Sequence, residues 1–301
     1  MLVTGAYGKV GRALVPALMH AGHDVRAVDL APPEWDRHID PRRTPDYVQA
    51  DLTDAGACFA IVRGCDAVVH AAAIPAPVHH PPHVVFRNNL LATFNVIEAA
   101  VAAGVRRLIN YSSETVPGFI FAYRPFRPDY LPIDEEHPIR PQDPYAQAKW
   151  FGELMCDRVV ERADLRCVSV RPCWVQDLAS YERNLGPIVR DPSLAIGNYC
   201  SYIDVYDLCE ATVLAVESEL PGHEVVYVAS PDTIGGHALR DVVRRIDPDG
   251  QIRIREPLVR DDASAIDSSK AQTLLGWQPA RSWRHYLDDQ GRARDGVTEP
   301  Y

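Results

Sequence analysis

The chain has 301 residues, of which 47% are hydrophobic and 24% are charged, and its formal net charge is −10 at pH 7. This length allows one large domain and a smaller one, and no apolar run reaches the roughly 18 residues that a membrane-spanning helix needs. The acidic balance and the scattered arginines exclude a basic nucleic-acid-binding surface. Seven cysteines without a C-x-x-C pair, and a strand that starts at the first residue, predict a cytoplasmic protein without a leader segment.

Short β-branched runs alternate with helical patterns up to about residue 170. Strands are predicted at 1–4, 24–30, 67–71, 107–111 and 166–170, and helices at 8–20, 55–62, 84–103 and 145–162. Such alternation is typical of a parallel sheet that is covered by helices on both faces. The predicted fold class is therefore α/β, a doubly wound (Rossmann) sheet with a smaller α/β C-terminal domain.

The regularity weakens in two places. Residues 117–144 are rich in proline and aromatics without a clear period, which predicts a long ordered loop beside the site. Beyond residue 171, residues 202–217 predict the end of a strand and a helix, and residues 224–229 predict a buried strand. We therefore expect a nucleotide-binding domain at 1–171 with 201–230, and a substrate-binding domain at 172–200 and 231–301.

The turn after the first strand has the glycine spacing of a phosphate-binding loop that opens a helix. Its candidate cofactor-binding residues are Gly5, Tyr7, Gly8, Lys9, Val10 and Gly11. Asp29 ends the second strand, where a carboxylate accepts hydrogen bonds from an adenosine ribose and repels a 2′-phosphate, so NAD is favoured over NADP. Asp51 and Leu52 follow the third strand and either border the adenine or cap a helix.

Lysine occurs three times, as Lys9, Lys149 and Lys270. Lys149 lies four residues after Tyr145, a spacing that brings both side chains to one face of a helix. A nearby ammonium favours the phenolate, so we expect Lys149 to lower the pKa of Tyr145 towards the range of an acid/base catalyst. Ser113, at the end of the preceding strand, is placed to hydrogen-bond the reacting oxygen of a substrate.

These features resemble the extended short-chain dehydrogenase/reductases, in particular the NAD-dependent epimerase/dehydratase family. The similar segments are the glycine turn, Asp29, 51–52, 70–73, 89–95, 112–113, Tyr145 with Lys149, 202–208, 269–271 and 275–279. The resemblance implies that Tyr145 is the acid/base, that Lys149 holds the nicotinamide ribose and that Ser113 orients the substrate. It also implies a homodimer formed through the helices at 84–103 and 145–162.

The resemblance adds further expected contacts to the cofactor and the substrate. The additional cofactor-binding candidates are Ala71, Ala72, Ala73, Asn89, Pro172 and Val175, with Asn89 supporting the site structurally. Sugar-nucleotide epimerases have Asn and Arg where this chain has Trp174 and Cys200, which leaves Arg260 as the candidate phosphate-binding cation. A substrate without a nucleotide is therefore plausible. Glu114 is either a second acid or a structural residue.

Two further features leave alternatives open. His79, His80 and His83 cluster in a loop, but no Cys or carboxylate completes a ligand set, so we expect no metal site. Tyr181 and Tyr199 are either core aromatics or part of a substrate pocket.

The main hypothesis is an NAD-dependent enzyme, an epimerase or a dehydrogenase, that transfers hydride at a secondary hydroxyl of a sugar or sugar-like substrate. A short likeness around 112–118 suggests instead a uronate-type dehydrogenase acting on a free sugar acid. An alternative from another class is a non-catalytic NAD-binding regulator. A regulator has no use for the acid/base set of Ser113, Tyr145 and Lys149, which argues against it.

Overall fold

The computed structural model describes residues 1–32, 45–194 and 197–300. The strands are β1 Leu2–Thr4, β2 Arg26–Asp29, β3 Asp46–Gln49, β4 Ala67–His70, β5 Arg107–Tyr111, β6 Tyr130–Leu131, β7 Arg166–Pro172, β8 Val175–Gln176, β9 Ile203–Asp204, β10 His223–Val228 and β11 Arg253–Ile254. The helices are α1 Lys9–His20, α2 Ala55–Val62, α3 Pro82–Ala102, α4 Pro144–Val159, α5 Leu178–Ser180, α6 Gly186–Arg190, α7 Val205–Glu217, α8 Leu239–Ile246, α9 Ser269–Leu275 and α10 Trp283–Tyr286. A π-helical turn, Tyr181–Leu185, joins α5 to α6.

A sheet of seven strands, counted over the described residues, forms the centre of the protein in the order β10-β7-β5-β4-β1-β2-β3. Every pairing is parallel; Val3, for example, faces Ala27 on one side and Val69 on the other. The strands therefore end at one edge of the sheet, and the strand order reverses between β1 and β4, where such folds bind ligands. This confirms the predicted doubly wound α/β fold.

Local capping fixes where the helices next to the site begin. The Asp143 carboxylate accepts hydrogen bonds from the backbone N–H groups of Tyr145 and Ala146, at 3.0 and 2.9 Å, and Pro144 occupies the first position of α4. Both features favour a helix start at this point. Tyr145 consequently lies in the first turn of α4, next to the carboxyl ends of the strands.

Two short sheets lie outside the central one. β6 pairs with β11 and β8 pairs with β9, so the segment predicted as a loop at 117–144 also contributes a strand. A continuous hydrophobic cluster joins sheet residues such as Val170 and Val228 to Ile188 and Leu239 of the C-terminal helices. The proposed division into two domains thus divides a shared core.

Over the described ranges, none of the helices combines the length and the apolar character needed to cross a membrane. All seven cysteines are free and buried.

Candidate active site

The glycine turn after β1 is shaped by backbone contacts. Gly5 has φ +72°, and a Cβ there would come within 2.8 Å of the backbone of Ala72, which follows β4. A Cβ on Gly11 would lie 2.1 Å from the Gly5 carbonyl oxygen, whereas one on Gly8 would meet its nearest atom, the same oxygen, at 3.2 Å. Gly5 and Gly11 are therefore required by the packing of the turn itself, and Gly8 keeps the space in front of α1 open.

The first turn of α1 can receive an anion. No side chain caps this helix and no acidic residue lies in its first turn. The first backbone N–H groups of a helix, here including those of Lys9, Val10 and Gly11, lack intrahelical acceptors and carry a positive partial charge. The Lys9 ammonium turns away to Val175 O and Ser180 Oγ, at 3.2 and 3.0 Å. Lys9 therefore offers its backbone N–H to the turn, while its side chain ties α1 to the segment around Val175.

The carboxylate of Asp29 lies beside this turn. Its Oδ2 accepts a hydrogen bond from the Tyr7 N–H at 2.9 Å, and its Oδ1 accepts one from Ala31. This position at the end of β2 agrees with the ribose-binding role expected for Asp29.

Asp51 lies further along the same edge. It is exposed and accepts hydrogen bonds from the N–H and the hydroxyl of Thr53, whereas Asp54 caps α2. The helix-cap interpretation of Asp51 is therefore wrong by three residues. Leu52 is buried, and its carbonyl accepts a hydrogen bond from Asn95.

The segment after β4, residues 71–73, is held from two sides. Asn89 donates to Ile74 O and accepts from Ile74 N, at 3.0 and 2.8 Å, so its amide is used structurally. On the other side, the Ala72 N–H donates to Thr4 Oγ1. Ala71, Ala72 and Ala73 thus pass close to Gly5 on a fixed backbone.

Buried His70 connects three elements beneath this segment. Thr93 Oγ1 donates to the carbonyl of Asn89, so it accepts from His70 Nε2, and Thr4 Oγ1 donates to Nδ1. Burial is the larger cause and Lys149 the smaller in lowering the pKa of His70 to about 3. His70 is therefore a neutral structural link, a function that sequence reasoning missed.

The end of β5 and the helix α4 meet through a series of contacts. Ser113 lies beside the Tyr145 phenol and acts to lower its pKa, and the Lys149 ammonium donates to Tyr111 O at 2.6 Å. Lys149 Nζ lies 5.9 Å from the centre of the Tyr145 ring. The structure thus brings together the three residues predicted for proton transfer, at the edge of the sheet that also carries the glycine turn.

The charges of this group differ from the expectation. Burial raises the pKa of Tyr145 to about 12, with the carboxyls of Glu114 and Asp143 acting in the same direction and Ser113 opposing them. Burial also lowers the pKa of Lys149 to about 8. The predicted lowering of the Tyr145 pKa by Lys149 is therefore wrong for the protein alone, because burial is the largest cause of the shift and it raises the pKa.

Glu114 lies buried next to the Tyr145 phenol. Cys173 and the backbone of Trp174 act to lower its pKa, and its Oε2 has no hydrogen-bond partner among the described residues. Burial raises its pKa to about 8. Near neutral pH, Glu114 is largely a carboxylic acid beside the proton-transfer group.

The remaining substrate candidates have different surroundings. Cys200 is fully buried, Trp174 is half-buried, and exposed Arg260 is engaged by Asp262 through two hydrogen bonds. Pro172 ends β7 and accepts a hydrogen bond from Glu114 N. Arg260 is therefore already neutralised by a carboxylate.

The two tyrosines that were considered for a substrate pocket are both buried. Tyr181 stacks on Tyr286 with 3.9 Å between the ring centres and donates to Asp204, so it is a core residue. Tyr199 packs near Phe119 and has a positive φ of 54°.

A family model described as the NAD dependent epimerase/dehydratase family matches residues 1–176. The chain is 34% identical over 237 residues to a uronate dehydrogenase of Agrobacterium fabrum, with 78% of each chain covered. It is 30% identical over 313 residues to a putative UDP-glucose 4-epimerase of Methanocaldococcus jannaschii, with 93% of each covered. A solved structure of a mutated uronate dehydrogenase is similar with TM-score 0.66 at 26% identity, covering 99% of this chain and 87% of the other.

The chain belongs to the NAD-dependent epimerase/dehydratase family. It is an enzyme of the extended short-chain dehydrogenase/reductase type, and its cofactor is NAD. The residues present fit this cofactor: no side chain caps the start of α1, the residue before that helix is Gly8, and Asp29 lies where the second strand ends. The family assignment and the geometry of the turn therefore agree.

Sequence reasoning missed the residues beneath the family's proton-transfer group. Glu153 and Arg171 form a buried ion pair there, with two hydrogen bonds of 2.8 and 2.7 Å. The available signal was weak: Glu153 lies four residues after Lys149, on the same face of α4. The histidine cluster at 79–83 gave no metal centre, since no group of three or more His, Cys, Asp or Glu side chains within the described ranges is arranged to hold an ion.

Proposed function

We propose that this enzyme transfers hydride between NAD and a secondary hydroxyl of a sugar or sugar-like substrate, as an epimerase or a dehydrogenase. The observation that carries the proposal is the contact between β5 and α4, where Ser113, Tyr145 and Lys149 meet beside the glycine turn. The names of the relatives support a sugar substrate, since they are uronate dehydrogenases and UDP-glucose 4-epimerases.

The proposed roles follow from the positions of the side chains. When bound, NAD supplies the ring that accepts or returns the hydride. The Tyr145 phenol exchanges the hydroxyl proton of the substrate, and Ser113, which lies beside that phenol, orients the same substrate oxygen. The Lys149 ammonium, whose Nζ lies 5.9 Å from the centre of the Tyr145 ring, holds the nicotinamide ribose.

A free sugar acid is the second candidate substrate. Recognition of a sugar nucleotide calls for unpaired cations that can meet a diphosphate. Here Arg260 is held by Asp262, and Cys200 is a buried thiol. These observations are the reason to test a free sugar acid beside a sugar nucleotide.

Supply of each substrate with NAD tests the proposal directly. We expect a stoichiometric rise in NADH absorbance with a free uronate, and none with a UDP-sugar. Inversion of a UDP-sugar without net NADH would instead identify an epimerase. If neither reaction occurs and the cellular function survives Tyr145→Phe, the regulator hypothesis replaces the proposal.

We also propose a homodimer formed through α3 and α4. The outer surfaces of these helices leave a groove of large apolar side chains exposed, including Phe94 and Leu154, which are 48% and 40% accessible. Such a surface favours association, and the neighbouring arginines Arg158 and Arg162 would form its rim. Sedimentation should give twice the mass of one chain, and Phe94→Glu should give a monomer; a monomeric wild-type protein would contradict the proposal.

The division into two domains and the cytoplasmic location remain part of this proposal. Lys9 bonds Val175 and Ser180, which brings the proposed substrate-binding segment against the start of α1. The free, buried state of all seven cysteines is typical of a reducing compartment.

A further inference from the structure

Three consecutive residues at the end of β5 contact three residues spaced one turn apart on α4. The carbonyl of Tyr111 accepts a hydrogen bond from Lys149, and Ser113 lies beside the phenol of Tyr145. Between them, the Ser112 hydroxyl donates to Glu153 Oε1. Glu153 therefore occupies the third contact of the same series, although it does not touch the phenol.

Glu153 is held rigidly from its other side. Arg171, on β7, donates through Nε and Nη2 to the two carboxylate oxygens, at 2.8 and 2.7 Å, and through Nη1 to the Tyr227 hydroxyl at 3.3 Å. The side chains of Arg171 and Glu153 are only 2% and 4% exposed. A bidentate pair at this depth fixes the orientation of the carboxylate strongly.

Among the described residues whose side chains or carbonyls face Lys149, Glu153 carries the negative charge. On α4 itself the neighbours are Tyr145 and Glu153, and burial keeps the Tyr145 phenol protonated near neutral pH. From β4 comes neutral His70, and from β5 comes the uncharged carbonyl of Tyr111. Arg171 is connected to Lys149 through its ion pair with Glu153.

We propose that Glu153, clamped by Arg171, is a positioning residue: it locks α4 against the end of β5 and supplies the negative charge that keeps Lys149 an ammonium. This inference rests on the proposed function, because it matters for catalysis only if Lys149 takes part in hydride transfer. Burial lowers the pKa of Lys149, and the carboxylate of Glu153 opposes that lowering. The pair thus offsets the desolvation of the buried ammonium without contacting the substrate.

The small number of lysines allows a direct test. In full-length protein labelled with ¹³C at lysine Cε, only Lys9, Lys149 and Lys270 give signals, and Lys149→Met identifies the signal of Lys149. Titration should place the Lys149 midpoint near 8 in the wild type. In Glu153→Gln we expect that midpoint to fall by about one pH unit, the usual effect of losing a close opposite charge.

The matched control is Asp157→Asn, which removes a carboxylate two turns beyond Lys149 on the same helix, where it pairs with His223. We expect it to leave the Lys149 midpoint within a few tenths of a unit. An unchanged midpoint in Glu153→Gln, or an equal shift in Asp157→Asn, would overturn the proposal.

Glu153→Gln leaves Arg171 buried without its partner, which destabilises the folded protein. If that variant does not fold, the double variant Glu153→Gln/Arg171→Met carries the same test, since it leaves neither charge unpaired. The double variant should also lower the Lys149 midpoint, and an unchanged midpoint contradicts the proposal. If the wild-type protein transfers no hydride between NAD and either a free uronate or a UDP-sugar, the proposed function fails while the titration result stands, so the two failures are distinguishable.

Discussion

The glycine turn after β1 and the contacts between β5 and α4 lie at the same edge of the sheet, but they are built from different groups. The turn is made of backbone: its geometry depends on hydrogen atoms at Gly5 and Gly11, where a Cβ would meet other backbone atoms within 3 Å. The β5–α4 contacts are made of buried side chains whose charges shift each other's pKa. Substitutions should therefore act through steric clash in the first region and through charge and proton affinity in the second.

The largest effect is expected at the phenol. Tyr145→Phe removes the proton-exchanging hydroxyl and should lower kcat by about 10²- to 10⁴-fold, measured as NADH formation. NAD affinity should change by no more than a few fold, because the glycine turn is untouched. Tyr123→Phe, at a tyrosine that is 65% exposed, is the control. A variant that keeps a tenth of the wild-type rate would show that another group moves the proton.

A pair of alanine substitutions tests the backbone region. Gly11→Ala places a Cβ 2.1 Å from the Gly5 carbonyl oxygen and should lower the free energy of unfolding by about 3 kcal/mol. Gly8→Ala has a nearest contact of 3.2 Å and should cost less than about 1 kcal/mol of stability, yet weaken NAD binding about tenfold or more. Denaturant unfolding and NAD titration measure the two quantities. Equal stability losses in both variants would contradict the distinction between packing and cofactor-approach glycines.

A pH-dependent stability change is expected at Glu114. Its pKa is raised from 4.5 to about 8 in the folded protein, so the folded state binds the proton more tightly than the unfolded state. The stability that this protonation contributes is fully present below about pH 4.5 and is lost as the pH rises through 8. Glu114→Gln should therefore be more stable than the wild type by about 1–3 kcal/mol at pH 7, and the difference should shrink towards pH 4.5.

Denaturant unfolding across that pH range measures the effect at Glu114. Exposed Glu136→Gln is the matched control and should show no such trend. A lower kcat in Glu114→Gln at unchanged KM would in addition assign Glu114 a role as second acid. A stability difference that does not vary with pH would refute the buried neutral carboxyl.

The smallest effect is expected at Arg260. Because Asp262 already engages its guanidinium, Arg260→Ala should change KM for a free sugar acid by less than about threefold. Arg240→Ala, at an exposed arginine paired with Glu256, is the matched control. A KM increase of tenfold or more, confined to Arg260→Ala and to a UDP-sugar, would restore the nucleotide-sugar interpretation.

Most of the predictions that the structure confirms came from local sequence patterns. The strand Arg107–Tyr111 and the helix Ala55–Val62 have the predicted bounds, because period and capping are properties of short segments. The spacing of Tyr145 and Lys149 likewise predicted that both side chains share one face of a helix, the face that meets the end of β5. The helix cap at Asp51 was a local prediction that the structure corrected to Asp54.

Properties that depend on burial or on distant partners were missed. The raised pKa of Tyr145 comes from desolvation, which is set by the whole fold. The partner of Glu153 lies on a strand 18 residues further along the chain, and no periodic signal joins them. The pairing of β6 with β11 was missed for the same reason, because it joins Leu131 to Ile254, which lies far along the chain.

The pairing of β6 with β11 makes one segment of the protein depend on another that is synthesised much later. The proline-rich segment beside the site gains its strand partner from Arg253–Ile254, its ion pair Asp134–Arg255 from the next residue, and a further backbone bond from Ala265 to Ile133. During translation this segment therefore lacks its partners until the last quarter of the chain leaves the ribosome. A substitution that disturbs either of the two paired segments should loosen the other as well.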